Sequence, residues 1–143
     1  MATKRILVVD DDSYVRGATE EILIRKGYDV DTASAASGAL QKLDEGEYDL
    51  LLSDIKMPGM NGLELLEKVK TKWPELTVIL MTAYSSVEDA VRAMKHGAYD
   101  YIQKGSESTT AETEIVVERA LKFQETEREN RRLRSELQSR YGF

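Results

Sequence analysis

Asp10 and Asp11 follow the apolar run Ile6-Leu7-Val8-Val9. Asp54 closes Leu50-Leu51-Leu52-Ser53, Thr82 closes Val78-Ile79-Leu80-Met81, and Lys104 follows Tyr101-Ile102-Gln103. Three carboxylates brought to one point repel one another. A hard divalent cation relieves that repulsion, and an all-oxygen donor set suits Mg²⁺. A lysine nearby adds a second positive charge, and a hydroxyl adds a hydrogen bond to an incoming oxygen. Together these groups suit phosphoryl transfer, where catalysis is positioning and charge neutralisation. One carboxylate can itself be the nucleophile and form an acyl phosphate. Asp54 is the choice, because the expected strand order sets it between the acidic pair and Lys104. Taken singly, an Asp at a strand end is a turn residue or a helix cap, and Asp12 reads as the cap of the first helix. The joint occurrence of the right residue types at matching strand ends points to a site.

The elements that must position these residues alternate along the chain. Short branched runs at 6–9, 28–33, 49–53, 77–81 and 99–103 read as strands, the second nearer a sheet edge because it alternates polar with apolar. Helical spacing occupies 13–26, with Val15, Ala18, Ile22 and Leu23 inward, then 36–45, about 61–72, and about 86–95. Gly27, Gly46, Pro74 and Gly97 supply the stops, and Ser85 with Glu88 matches a capping box. Strands alternating with helices imply an α/β, doubly wound parallel sheet with right-handed crossovers. Ligands bind such sheets just beyond the carboxyl ends of the strands. Asp10, Asp11, Asp54, Thr82 and Lys104 are therefore expected on one edge.

Composition narrows the function classes. The 143 residues suit one domain plus an extension, and the absence of cysteine excludes disulfides, thiol catalysis and cysteine-ligated zinc. The single histidine, His96, cannot build a histidine-based zinc site or triad. It falls at an expected helix end, where a favourable dipole contact is its ordinary role. The net charge of −6 argues against direct nucleic-acid contact by this segment. No apolar run is long enough for a membrane span or signal peptide, so a cytoplasmic protein is expected.

The blocks Val8-Val9-Asp10-Asp11-Asp12, Ser53-Asp54-Ile55-Lys56-Met57-Pro58-Gly59-Met60-Asn61-Gly62, Met81-Thr82-Ala83 and Lys104 resemble the four signature blocks of response-regulator receiver domains, over roughly residues 4–104. That resemblance implies a flavodoxin-like five-stranded sheet of order 2-1-3-4-5 and phosphorylation of Asp54 by a histidine kinase. It implies Mg²⁺ ligated directly by Asp11 and Asp54, with Asp10 acting largely through water and the backbone carbonyl of Lys56 as a further ligand. It pairs Thr82 with Tyr101 as a switch, the hydroxyl turning toward the phosphoryl group and the ring turning inward. Lys104 would hold a phosphoryl oxygen. Without the resemblance, Tyr101 reads as half-buried packing, and Met57, Met60, Met81 and Met94 read as packing residues.

Two regions depart from the family pattern. The lysine is usually followed by proline, but Gly105 stands here, so the sequence alone does not fix the aim of Lys104. The polar stretch from Ser106 to Glu114 occupies the usual start of the fifth helix. It reads either as a capping box of Thr109 with Glu112 or as a mobile loop. The division drawn from sequence is a receiver domain at 1–113, including a variant loop at 105–113, and a fifth helix continuing as a coiled-coil linker at 114–143. One heptad frame places Val116, Phe123, Asn130 and Leu137 at a, and Arg119, Thr126, Leu133 and Arg140 at d. An Asn at a fits a parallel two-stranded coil, so a homodimer through this helix is expected. A receiver running into such a helix resembles NtrC-like, sigma-54-dependent transcription activators, whose ATPase and DNA-binding domains are absent here.

Three other readings compete with the phosphoacceptor switch. A non-phosphorylated dimerisation module is suggested by Gly105 and the long helix. A Mg²⁺-dependent phosphohydrolase would need a carboxylate at position 56, which is Lys. A flavin binder would not carry an acidic loop after the first strand. The expected role is signalling, with any catalysis limited to the domain's own phosphoryl transfer and dephosphorylation.

Overall fold

Leu50-Leu51-Leu52 and Val78-Ile79-Leu80 have no polar face to turn to water, so each must be covered on both sides. In the computed structural model, which describes residues 3–83, 87–105 and 109–141, these runs are the central strands of a five-stranded parallel sheet. The strands are β1 (Arg5–Val9), β2 (Asp29–Ala33), β3 (Leu50–Asp54), β4 (Thr77–Thr82) and β5 (Asp100–Gln103). Their order is β2-β1-β3-β4-β5, with every pairing parallel. The expected fold and strand order are both present, with β2 at one edge.

Helices α1 (Ser13–Arg25), α2 (Ala36–Glu45), α3 (Gly62–Lys72), α4 (Val87–Lys95) and α5 (Thr109–Tyr141) follow the strands in turn. Alternate side chains of each strand enter opposite cores. Leu7, Val9, Leu51, Val78 and Leu80 meet α2, α3 and α4. Ile6, Val8, Leu50, Leu52, Ile79 and Ile102 meet Leu23 of α1 and Val116, Val117, Ala120 and Leu121 of α5.

Several expectations are corrected. Within α1, Thr19 and Leu23 are buried, Val15 and Ile22 are half-buried, and Ala18 is exposed. Thr19 is tolerated inside because its hydroxyl donates to the Val15 carbonyl at 2.8 Å. Met57 and Met81 are core residues, but Met94 is 51% exposed, on the outer face of α4 with Val87 and Val91. The Ser85 cap and residues 106–108 lie outside the described residues. Thr109 is the first helical residue and not a cap, so α5 begins five residues before the expected start at Glu114. The polar window 109–114 is helical because Thr113 turns inward, 2% exposed, its hydroxyl bonded to the Thr109 carbonyl at 2.8 Å.

The heptad frame also changes. Val116, assigned to a, is buried against the chain's own sheet. Residues 113–124 present Thr113, Val116, Val117, Ala120, Leu121 and Gln124 to the domain, and every residue from 128 to 141 is exposed. Phe123, whose ring lies 5.5 Å from that of Tyr99, Leu133 and Leu137 remain on the outer surface.

Candidate functional site

Parallel register carries the chemistry to one edge. Val9 pairs with Ser53, Asp54 with Met81, and Thr82 with Gln103, so the residues that end each strand stand side by side. Carboxylate oxygens of Asp10, Asp11 and Asp54 lie within 4.8 Å of one another, with Asp10 and Asp54 buried and Asp11 exposed. This donor set fits a hard divalent cation, with the exposed Asp11 on the solvent side where an ion keeps its waters.

Asp10 and Asp54 are held by identifiable partners. The Asp10 carboxylate accepts the Asp12 backbone N–H at 3.0 Å on one oxygen and Lys104 Nζ at 2.7 Å on the other. Its backbone carbonyl accepts Arg16 Nη1 at 2.8 Å. Asp12 is the α1 cap, its Oδ1 accepting from the Tyr14 and Val15 amides. Asp10 is therefore occupied on both oxygens, and among the described residues the exposed Asp11 keeps the most capacity for a metal.

Lys104 Nζ lies 3.1 Å from Asp54 Oδ2 as well as 2.7 Å from Asp10. Burial alone would lower the lysine pKa, but the Asp10 hydrogen bond and the Asp54 charge outweigh it and hold it above the usual 10.5. For Asp54, burial raises the pKa above 3.8. Lys104 opposes that shift, Asp10 reinforces it, and a hydrogen bond from the Lys56 backbone opposes it further.

Gly105 does not spoil the aim of Lys104. Its φ of +91° is a left-handed conformation that glycine adopts freely and proline cannot reach. The Lys104 amide donates to the Thr82 carbonyl at 2.8 Å, which ties the end of β5 to the end of β4.

Thr82 is fully buried at the same edge. Tyr101, beside Leu80 in the register, is half-buried and packs on the core under α2, α3 and α4. The Lys56 side chain is exposed, just past β3. His96 follows α4, its Nε2 3.2 Å from a Glu67 oxygen.

Two supporting residues were not singled out from the sequence. Arg16 fastens the Asp10 carbonyl, and nothing in the one-dimensional pattern distinguishes it from a solvated helix residue. Gly62 opens α3 behind the Asn61–Glu64 capping box. A Cβ there would meet the Asp54 carbonyl oxygen at 2.3 Å and Ile55 Cα at 2.8 Å, so only glycine lets the helix pack against the back of the site. A glycine at the first position of a good helix was the available signal.

The response regulator receiver domain family model matches residues 6–115. The chain is 37% identical over 139 residues, 97% of its length, to the DNA-binding transcriptional regulator NtrC of Proteus hauseri. It is 40% identical over 121 residues, 85% of its length, to the response regulator protein FleR of Pseudomonas aeruginosa. Those alignments cover 29% and 25% of the two relatives, so the chain spans little more than a quarter of them. A solved structure, the beryllofluoride-activated NtrC4 receiver domain dimer, superposes with a TM-score of 0.79 at 30% identity, covering 85% of this chain and 99% of that one.

Proposed function

The chain belongs to the response regulator receiver domain family, and from that premise we propose that Asp54 is its phosphoacceptor. The observation that carries the reading is the convergence of three carboxylates within 4.8 Å beside Lys104, which lies 3.1 Å from Asp54. An Asp54 carboxylate oxygen bonds to the phosphorus of a phosphohistidine on a histidine kinase, the P–N bond breaks, and the imidazole leaves with that electron pair. Asp11, Asp54 and the Lys56 carbonyl would hold Mg²⁺ directly, with Asp10 largely through water; the ion supplies charge neutralisation to the transferring oxygens. Lys104 neutralises a phosphoryl oxygen, and the Thr82 hydroxyl donates to another. With that hydroxyl drawn toward the phosphoryl group, the Tyr101 ring turns inward.

The similarity to NtrC and FleR supports a place in sigma-54-dependent transcription activators, with phosphorylation changing how two receivers and their α5 helices pair. The exposed Phe123, Asn130, Leu133 and Leu137 supply a seam for a second copy of the chain. A cytoplasmic setting follows from a histidine-kinase partner. Among the described residues no helix is long and apolar enough to cross a membrane.

The test is direct. Incubation with Mg²⁺ and acetyl phosphate should add one phosphoryl mass that is acid-stable and base-labile, and Asp54→Asn should abolish it. If the unaltered chain gains no mass and binds no beryllofluoride in Mg²⁺, the reading fails and the non-phosphorylated dimerisation module takes its place.

A further inference from the structure

Gln124 is a polar residue in an apolar seam. It is 4% exposed and continues the stripe of Val117, Ala120 and Leu121 by which α5 packs on the sheet. Its Nε2 donates to the Asp49 carbonyl at 2.6 Å and to Thr77 Oγ1 at 3.0 Å. Asp49 immediately precedes β3 and Thr77 opens β4, so one amide spans the starting ends of the two central strands. Asp49 in turn accepts the Arg5 amide of β1 at 2.9 Å, and its other oxygen lies 3.5 Å from Arg128, one turn after Gln124. The three strands gathered here are those that deliver Asp10, Asp54 and Thr82 to the opposite edge.

Valine, alanine and leucine against a leucine-rich sheet define a face but not an axial position, since one helical turn of slip presents similar side chains. A buried polar group is satisfied at only one position, which is how such groups specify register at some cost in stability. That cost is visible here, because the buried Gln124 Oε1 has no hydrogen-bond partner among the described residues.

We propose that Gln124 is a register pin, fixing the axial position and rotation of α5 on the starting ends of β3 and β4. The pin sets where the outer seam stands. Asn130, six residues on, lies about 120° round the helix from Gln124. A slip of α5 would therefore turn Asn130, Leu133 and Leu137 away from a partner helix. The pin acts without phosphorylation, so it stands or falls separately from the assignment of Asp54; only its consequence for pairing rests on that assignment.

The absence of cysteine makes the test clean. The full chain carrying Glu75→Cys is combined singly with Arg131→Cys, Glu127→Cys or Arg134→Cys and treated with a short bismaleimide. Arg131 Nε lies 3.5 Å from a Glu75 oxygen, so pairing of positions 75 and 131 should dominate. In a Gln124→Leu background that preference should fall about tenfold, the ratio corresponding to one net hydrogen bond. Beryllofluoride binding in Mg²⁺ should be unchanged. An undiminished preference for position 131 would overturn the proposal. If Gln124→Leu does not fold, Thr77→Val removes one acceptor without altering α5; a weakened preference then supports the pin and a full one refutes it.

Discussion

Asp54 ionises against its surroundings. Burial holds its pKa above the ordinary 3.8, with Lys104 recovering part of the cost and Asp10 adding to it. A raised folded-state pKa means that the folded protein binds this proton more tightly than the unfolded chain does. Its contribution to stability is present below pH 3.8 and is lost as pH rises through the raised value. At neutral pH without a cation, the charged Asp54 is therefore a net burden on the fold. Asp54→Asn without added Mg²⁺ should raise Tm at pH 7. That gain should vanish as pH falls below 3.8, and calorimetry across pH reads it. An unaltered Tm at pH 7 would mean that Lys104 fully compensates the buried charge.

At the scale of elements, Gly62 shows what a sequence pattern leaves unsaid. The Asn61-Gly62 pair reads as a helix start, yet the glycine is required by the Asp54 carbonyl behind it, a contact across the loop. Gly62→Ala must push backbone against backbone. It should cost about 1–3 kcal/mol by overpacking and weaken beryllofluoride binding, measured by urea denaturation and by titration. Retention of both would show that α3 can move off the site freely. The strands and α2 were legible because burial on both faces, or helical periodicity, writes itself into residue types. The start of α5 was not, because Thr109 to Glu114 is polar in every residue except Ala111. The one inward side chain there is a threonine that hides its hydroxyl on its own helix. The aim of Lys104 was likewise undecided, since a glycine permits many conformations and only the folded neighbours, Asp10 and Asp54, select one.

At the scale of the whole chain, the receiver is followed by a helix that outlasts it. Thirty-three residues of α5 extend about 50 Å. Its first part belongs to the domain core, Arg128 and Arg131 still reach Asp49 and Glu75, and Arg132 pairs within the helix with Glu129 and Glu136. Leu133 and Leu137 are 44% and 53% exposed and contribute nothing to the domain core. The double variant Leu133→Ala, Leu137→Ala should therefore leave Tm within about 2 °C, as surface substitutions do. It should weaken self-association by at least about tenfold if these leucines form the seam. Sedimentation equilibrium decides it, and an unchanged association constant would move the dimer contact elsewhere on the chain.

The strands are four to six residues long and all point the same way, so about 17 Å of sheet separates the acidic edge from the edge where Gln124 docks. Substitutions can then accumulate at either edge without clashing with the other. A lineage could retune how its helix leaves the domain while inheriting the acidic edge intact, or alter the chemistry of that edge while keeping its mode of assembly.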